Sequence, residues 1–140
     1  MKTINDLQDE IIDEFAMLDD WMDRYQLLID MGNTLPPLDE ASRTPQHLIE
    51  GCQSRVWLEA HMDGGVMRLS ADSDALIVKG IIALLVGILD GQKPDDVLAA
   101  DLYCIDRIGL RDHLSPTRSN GLLAMVKQIR MYALAFSSKQ

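Results

Sequence analysis

The sequence predicts an α+β fold, in which a small antiparallel sheet of about three strands is packed by helices. Helical periodicity is found before residue 35 and after residue 73, whereas residues 55–69 alternate between apolar and polar side chains. Helices and strands therefore fall into separate blocks, which is typical of α+β domains, and not into the alternating units of a parallel sheet. With 140 residues, the chain has the length of one ordinary domain, and we expect residues 1–140 to form one.

The first part of the chain has the pattern of two helices. Thr3 and Asp6 have the spacing of a capping box, and apolar residues recur every three or four positions after them. A second periodic stretch starts at Trp21 and is expected to end at Gly32, because glycine is common just after a helix. The segment Asn33–Pro45 contains three prolines and no periodicity, which indicates an extended connector.

A β-hairpin is predicted in the middle of the chain. Residues 56–60 alternate in polarity, and residues 66–69 resume a strand-like pattern after Asp63-Gly64-Gly65. Residues 46–49 are interpreted as a third strand. This arrangement would place Cys52 in a turn between two strands, where a reactive side chain is accessible.

The most apolar segment follows the hairpin and is predicted to form a helix from Ala75 to Leu89. Ser73 or Asp74 is expected to cap its N-terminus. The segment contains Lys79 and is shorter than the ~20 apolar residues that span a bilayer. We therefore expect a buried helix that covers the sheet.

The remaining sequence indicates short helices followed by one long helix. Lys93-Pro94 has the pattern of a helix start, and short helical pieces are expected to continue to Leu110. Ser115-Pro116 and Ser119 are alternative starts for a final helix. Its apolar residues have helical spacing up to the end of the chain: Leu122, Met125, Ile129, Tyr132, Leu134 and Phe136.

Composition and charge restrict the classes of protein. Hydrophobic residues make up 47% and charged residues 25%, as in globular proteins, so disordered and fibrous classes are excluded. The net charge of −9 opposes attraction to nucleic acids and to anionic membrane surfaces, and neither is expected as a partner. The first residues lack the features of a signal peptide, and two cysteines do not make a disulfide framework. We therefore expect a cytoplasmic protein.

Charge is distributed unevenly along the chain. Residues 1–40 contain eleven acidic residues against Lys2 and Arg24, whereas residues 107–140 contain six basic residues against Asp112. This polarity is suited to orienting a charged partner, and it is equally consistent with two solvated helix faces.

Cys52 is the leading candidate for chemistry. It follows Gly51, which allows close approach of another molecule, and it precedes Gln53 and Ser54, whose polar groups favour a position near solvent. The charge of Arg55 would favour the thiolate if it lies close. The alternative is a small, inert core residue, which is the commoner environment of cysteine.

Other chemistry is less well supported. Metal sites need three or four ligands, and the chain offers two distant cysteines with His47, His61 and His113, so no metal is expected. A Cys-His hydrolase stays open, because its histidine base can come from anywhere in the fold. Cys104 lies among apolar neighbours and is interpreted as core packing.

Three blocks together resemble one known family. They are Gly51–Trp57, then Asp72-Ser73-Asp74 followed by Ile77–Gly80, and finally Leu114–Gly121. In order and spacing they are similar to the SufE/CsdE family of sulfur acceptors, and the resemblance covers nearly the whole chain. It implies a small antiparallel sheet packed by helices, as in the IscU-type scaffold.

The resemblance also implies a function. Cys52 matches the family's acceptor cysteine, which takes sulfur as a persulfide from a pyridoxal-phosphate (PLP) cysteine desulfurase of the SufS or CsdA type. The sulfur then passes to an iron–sulfur assembly scaffold such as SufBCD, and no cofactor is implied on this chain. Gly51, Gln53, Asp74 and Arg118 match positions to which we assign partner contact or positioning of the cysteine loop.

Two further expectations remain open at this stage. One is a non-catalytic adaptor, whose acidic helices and basic C-terminal part bind partners while Cys52 is structural. The other is a homodimer. Neither depends on a cofactor.

Overall fold

A computed structural model describes residues 2–138 of the chain. The described part contains seven α-helices and two strands, and the predicted α+β class is confirmed. Short 3₁₀ helices at Glu40–Ser42 and Pro45–His47 interrupt the connector. The elements in chain order are α1 (Ile4–Ala16), α2 (Trp21–Asn33), β1 (Val56–Asp63), β2 (Val66–Ser73), α3 (Leu76–Leu89), α4 (Pro94–Ala99), α5 (Cys104–Arg107), α6 (Leu110–His113) and α7 (Pro116–Ser138).

The sheet has two strands, and the prediction of about three was wrong. The segment predicted as the third strand contributes one isolated bridge, between Leu48 and Trp57. The reason is Pro45, which begins the 3₁₀ turn Pro45–His47 and leaves only two residues in extended conformation before the cysteine loop. The Ile49 N–H still donates to the carbonyl of Val56 at 2.9 Å.

The hairpin is antiparallel, with Asp63 paired to Val66 across the turn and Val56 paired to Ser73 at the open end. Strand β2 is longer than predicted, because Asp72 and Ser73 belong to it. The register places the end of β2 beside the start of β1, where the cysteine loop ends.

Asp72 is a buried charge at the end of β2. It forms salt bridges with Arg43 of the connector and, at 3.3 Å, with Lys79 of α3. Burial opposes its ionisation, but the Ser73 N–H and the two cations outweigh burial and hold the pKa of Asp72 below its usual range. Lys79 thus interrupts an apolar helix because it neutralises this carboxylate.

Helix α3 lies at the centre of the protein and packs on β2, α1, α2 and α7. Most of its residues are buried, as predicted for the apolar segment. Its crossing with α2 is close: a Cβ atom on Gly80 would lie 2.1 Å from the carbonyl oxygen of Leu28. Gly32 faces the same crossing inside α2, which continues to Asn33, so the prediction that Gly32 terminates this helix was wrong.

The helix starts follow local side-chain chemistry. The predicted capping box of Thr3 and Asp6 is confirmed. At the last helix, α7 begins at Pro116, and the Ser115 hydroxyl accepts a hydrogen bond from the Arg118 N–H, so Ser115-Pro116 is the correct alternative. Among residues 2–138, no helix is both long enough and apolar enough to cross a membrane.

The expected cap of α3 was wrong. The N-cap position is Ala75, which has no capping side chain, and Ser73 and Asp74 bind the backbone of Arg55 instead. The reason is that β2 continues to Ser73 and brings both residues beside the end of the cysteine loop. The Ser73 hydroxyl contacts the start of α3 only by accepting the N–H of Ala75 itself, at 3.3 Å.

Candidate functional site

Cys52 lies in a short loop that is fixed at both ends. At the first end, the hydrogen bond from Ile49 to Val56 closes residues 50–55. At the second end, three hydrogen bonds hold Arg55: its N–H donates to Asp74 Oδ1 at 3.1 Å, and its carbonyl accepts from the Asp74 N–H at 3.3 Å and from Ser73 Oγ at 2.7 Å. The backbone of residues 50–54 is thus held less tightly than its two anchors.

Gly51 gives the loop its shape. Its φ angle is +93°, in the left-handed region that residues with a side chain rarely adopt. A Cβ atom at this position would also lie 3.3 Å from Cβ of Ala124 in α7. The glycine therefore lets the loop turn while it lies against the last helix.

The loop covers one side of a cavity of about 380 Å³. Three elements meet there: the cysteine loop, the first half of α3 and the first turns of α7. The lining residues are Cys52, Gln53, Ser54, Val78, Ile81, Ser115, Thr117, Arg118, Gly121 and Met125. The cavity combines an apolar floor from the helices with hydroxyl and guanidinium groups.

The thiol of Cys52 points to α7. It is half-buried, and its Sγ atom donates a hydrogen bond to the carbonyl oxygen of Gly121 at 3.6 Å. A Cβ atom on Gly121 would lie 3.4 Å from Sγ, so this position is in van der Waals contact with the sulfur. Burial raises the pKa of the Cys52 thiol.

The expected influence of Arg55 on the thiol is not present. The side chain of Arg55 is exposed, and burial, not the charge of Arg55, raises the pKa of Cys52. The reason is that Arg55 is held through its backbone by Ser73 and Asp74. In this conformation the protein keeps the thiol protonated.

Arg118 is the cation at the cavity. It lies in the first turn of α7, its side chain is exposed, and within residues 2–138 it forms no salt bridge. An unpaired guanidinium beside a thiol is suited to contact an anionic group of an incoming molecule. Of the other predicted positions, Gln53 lines the cavity, Gly51 shapes the loop, and Asp74 fixes the end of the loop without lining the cavity.

Two residues of the site, Gly121 and Ser73, were not predicted as site residues. Gly121 was visible only as the end of a motif, although it lies three residues after Arg118 and hence on the same side of a helix. Ser73 was interpreted as a cap, whereas it supports the loop. The site role of Gly121 could have been found from helical spacing. The site role of Ser73 could not, because it depends on where β2 ends.

The three histidines lie elsewhere. His47 contacts Thr44, His61 contacts Glu59, and His113 stacks on Trp21 at 3.8 Å; none lines the cavity. Among residues 2–138, no three His, Cys, Asp or Glu side chains are grouped to hold a metal ion.

Cys104 is buried in the core, as predicted. Its side chain is fully excluded from solvent, and its N–H donates to Gln8 Oε1 at 3.1 Å. Burial raises the pKa of this thiol to about 11. The two cysteines therefore differ in access: Cys104 is enclosed, whereas Cys52 borders an open cavity.

Fold and site together define a class: a small α+β domain that presents one half-buried thiol at a surface cavity. Residues 9–133 match the family described as SufE, the Fe-S metabolism associated domain. The chain belongs to the SufE family, and the resemblance drawn from the motifs is confirmed.

Two relatives agree with this assignment, and a solved structure has the same fold. The chain is 45% identical over 127 residues to an uncharacterized SufE-like protein of Rhizobium etli, covering 87% of this chain and 86% of the relative. It is 40% identical over 130 residues to one of Rhizobium meliloti, covering 89% and 93%. The solution structure of a hypothetical protein from Thermus thermophilus has the same fold, with a TM-score of 0.76, 24% identity, and 92% and 94% coverage.

Proposed function

We propose that Cys52 accepts sulfur as a persulfide from a PLP-dependent cysteine desulfurase in the cytoplasm and passes it to an iron–sulfur assembly scaffold of the SufBCD type. The observation that supports this most directly is the position of the Cys52 thiol at the edge of an open cavity that the cationic side chain of Arg118 also lines. Membership in a family associated with Fe-S metabolism gives the chemical context.

The proposed step is a thiol exchange. The Cys52 thiolate attacks the outer sulfur of the donor persulfide, an S–S bond forms at Cys52, and the donor S–S bond breaks to release the donor cysteine as a thiolate. Cys52 loses one proton and the donor cysteine gains one, so no oxidant or reductant is consumed. The donor is then free for another turnover, which is the sense in which this protein activates the desulfurase. The same exchange, with a thiolate of the scaffold as the nucleophile, discharges Cys52.

The resting thiol is not prepared for this attack. Burial and the hydrogen bond to Gly121 both favour the protonated form. We infer that contact with the donor moves residues 50–54 away from α7, which exposes the thiol and brings it beside the persulfide. The PLP is part of the donor, and this chain contributes the acceptor thiol and the guanidinium of Arg118.

The test is an intact-mass measurement after incubation with a PLP-dependent cysteine desulfurase and cysteine. We expect a gain of one sulfur atom in the wild type, none in Cys52→Ser, and an unchanged gain in the matched control Cys104→Ser. A gain in Cys52→Ser would place the acceptor elsewhere. A wild type that binds the desulfurase but stays unloaded would overturn the proposal in favour of an adaptor.

A further inference from the structure

Helix α7 carries an apolar stripe that nothing in the described chain covers. Leu123, Met131 and Leu134 are 51%, 52% and 59% exposed, and Lys127 is exposed between them. The four residues are separated by four, four and three positions, so they lie along one face of the helix. Single exposed apolar residues are ordinary, but three on one helix face, with Lys127 between the first and the second, have the pattern of a helix face that packs against another helix. We call these four residues the α7 stripe.

The charge of α7 differs from that of the whole protein. Between Pro116 and Ser138 the helix contains Arg118, Lys127 and Arg130 and no acidic residue, although the chain has a net charge of −9. Lys127 lies within the stripe, and within residues 2–138 it forms no salt bridge. The stripe is therefore apolar with an unpaired positive charge at its centre.

A groove runs beside the stripe. It has a volume of about 540 Å³ and separates α7 from residues 45–50, which lead into the cysteine loop. Ala124, Lys127, Gln128 and Met131 form the α7 side, and the opposite side includes one acidic residue, Glu50. The groove extends the contact surface of Lys127 and Met131 toward the connector.

The α7 stripe and the cavity occupy opposite sides of the helix. Gly121 and Met125 line the cavity, whereas Leu123 and Lys127 follow each of them by two residues. Two residues correspond to a rotation of about 200° in an α-helix. A molecule bound to the stripe therefore leaves the thiol side of α7 open.

We propose that the α7 stripe binds an acidic amphipathic helix of a partner protein. Helix-to-helix recognition uses apolar anchors that recur on one helix face, and Leu123, Met131 and Leu134 lie eight and three positions apart on the same face of α7. Acidic residues beside the partner's apolar seam pair with Lys127, as charged positions do at the edges of coiled coils. The occupant is acidic because Lys127 is the charged residue within the stripe, and α7 has no acidic residue between Pro116 and Ser138. This binding is independent of the sulfur transfer proposed above, since it uses neither Cys52 nor the cavity.

The experiment uses the full chain and a pair of synthetic amphipathic peptides. Both have leucine at the a and d positions of each heptad; one has glutamate at the e and g positions, and its twin has lysine there. We expect the acidic peptide to bind saturably in an NMR titration, with shift changes centred on α7. The double variant Leu123→Gln, Met131→Gln is expected to bind about tenfold more weakly or worse, because two apolar anchors are lost. Lys127→Glu is expected to reverse the preference toward the lysine peptide.

The matched control is Met22→Gln, at a methionine of α2 that is 71% exposed and outside the stripe. It is expected to bind the acidic peptide like the wild type. All substituted positions are exposed, and thermal unfolding checks that each variant is folded; should the double variant unfold, Lys127→Glu alone carries the test. Equal binding of both peptides, binding of neither, or shift changes confined to the cavity would overturn the proposal. So would wild-type self-association that the stripe substitutions abolish, because the occupant would then be a second copy of this chain.

Discussion

The Sγ atom of Cys52 donates to the carbonyl oxygen of Gly121 across 3.6 Å, and this contact joins the cysteine loop to the last helix. A hydrogen bond given by the neutral thiol stabilises the protonated form, and burial acts in the same direction. The isolated protein therefore holds its candidate nucleophile in the less reactive state.

Gly121→Val is expected to displace the cysteine loop. A Cβ atom alone would reach 3.4 Å from Sγ, which is ordinary contact, so the added methyl groups of valine would overpack the interface. Overpacking costs about 1–3 kcal/mol, and about 1.4 kcal/mol, near the lower end of that range, already corresponds to about a tenfold greater population of the displaced loop. We expect iodoacetamide to alkylate Cys52 about tenfold faster, as measured by peptide mass spectrometry.

Gly121→Ala is the matched control, because its Cβ fits, and its Cys52 rate is expected to stay within about twofold of the wild type. Cys104 reports on the fold in the same sample, since it is enclosed in the core. An unchanged Cys52 rate in the valine variant would show that the contact with Gly121 does not restrain the loop.

Asp74→Ala is expected to loosen the second anchor of the loop. The carboxylate accepts the N–H of Arg55, and this hydrogen bond lies at the edge of β1. Loss of a hydrogen bond to a charged group costs about 1.5–3 kcal/mol, so amide exchange of Arg55 should accelerate by about tenfold or more. Asp74→Asn keeps an acceptor oxygen and should accelerate it less. Identical exchange in both variants and the wild type would contradict this role of Asp74.

Gly80→Ala and Gly87→Ala are expected to have opposite effects on stability. A Cβ on Gly80 would lie 2.1 Å from the Leu28 carbonyl, so alanine would force α2 and α3 apart and lower the free energy of unfolding by about 3 kcal/mol. Gly87 lies in the same helix, and nothing lies within 4 Å of its added Cβ. Alanine there should raise the free energy of unfolding by about 0.5–1 kcal/mol. Urea denaturation measures both, and equal effects would show that the α2–α3 crossing relaxes freely.

The buried Cys104 is expected to make stability depend on alkaline pH. Its folded pKa of about 11 exceeds the ordinary value of 9.0, so the folded state holds the proton more tightly than the unfolded state. This contribution is complete below about pH 9 and declines as the pH rises toward 11, by roughly 2–3 kcal/mol.

The comparison is with Cys104→Ala, which lacks the titrating thiol. The difference in unfolding free energy between the wild type and this variant should shrink steadily across that pH window. A difference that stays constant between about pH 8 and pH 11 would show that the thiol keeps an ordinary pKa in the folded protein.

Local signals were sufficient where the chemistry is local. The capping box of Thr3 and Asp6 and the glycine turn at residues 64–65 depend on neighbours in sequence, and both were predicted. The prediction of a third strand at residues 46–49 was wrong because Pro45 favours a 3₁₀ turn over a strand. Gln8 was also missed: it occupies a polar position in the pattern of α1, yet it is fully buried because it satisfies the backbone at Asp101 and Cys104.

The candidate site shows the same division. Cys52 could be selected from its glycine neighbour and the surrounding motif, because these are contiguous. The direction of the pKa shift of Cys52 could not be predicted from the sequence, because the shift is caused by burial against α7 and not by the adjacent Arg55. Ser73 and Asp74 support the loop only because the hairpin register brings the end of β2 to Arg55. Such long-range partners are set by tertiary packing.

The hydrogen bonds at both ends of the cysteine loop limit how far the Sγ atom of Cys52 can move. Cys52 is three residues from Ile49 and three from Arg55, and both are fixed by backbone hydrogen bonds. Because an extended chain spans at most ~3.3–3.6 Å per residue, Cα of Cys52 stays within about 10 Å of either anchor. The thiol is thus on a short tether, even when the loop leaves α7. In the proposed function, the donor would therefore bring its own sulfur to the surface of this protein, and transfer would depend on the reach of the donor's cysteine and on a close fit between the two proteins.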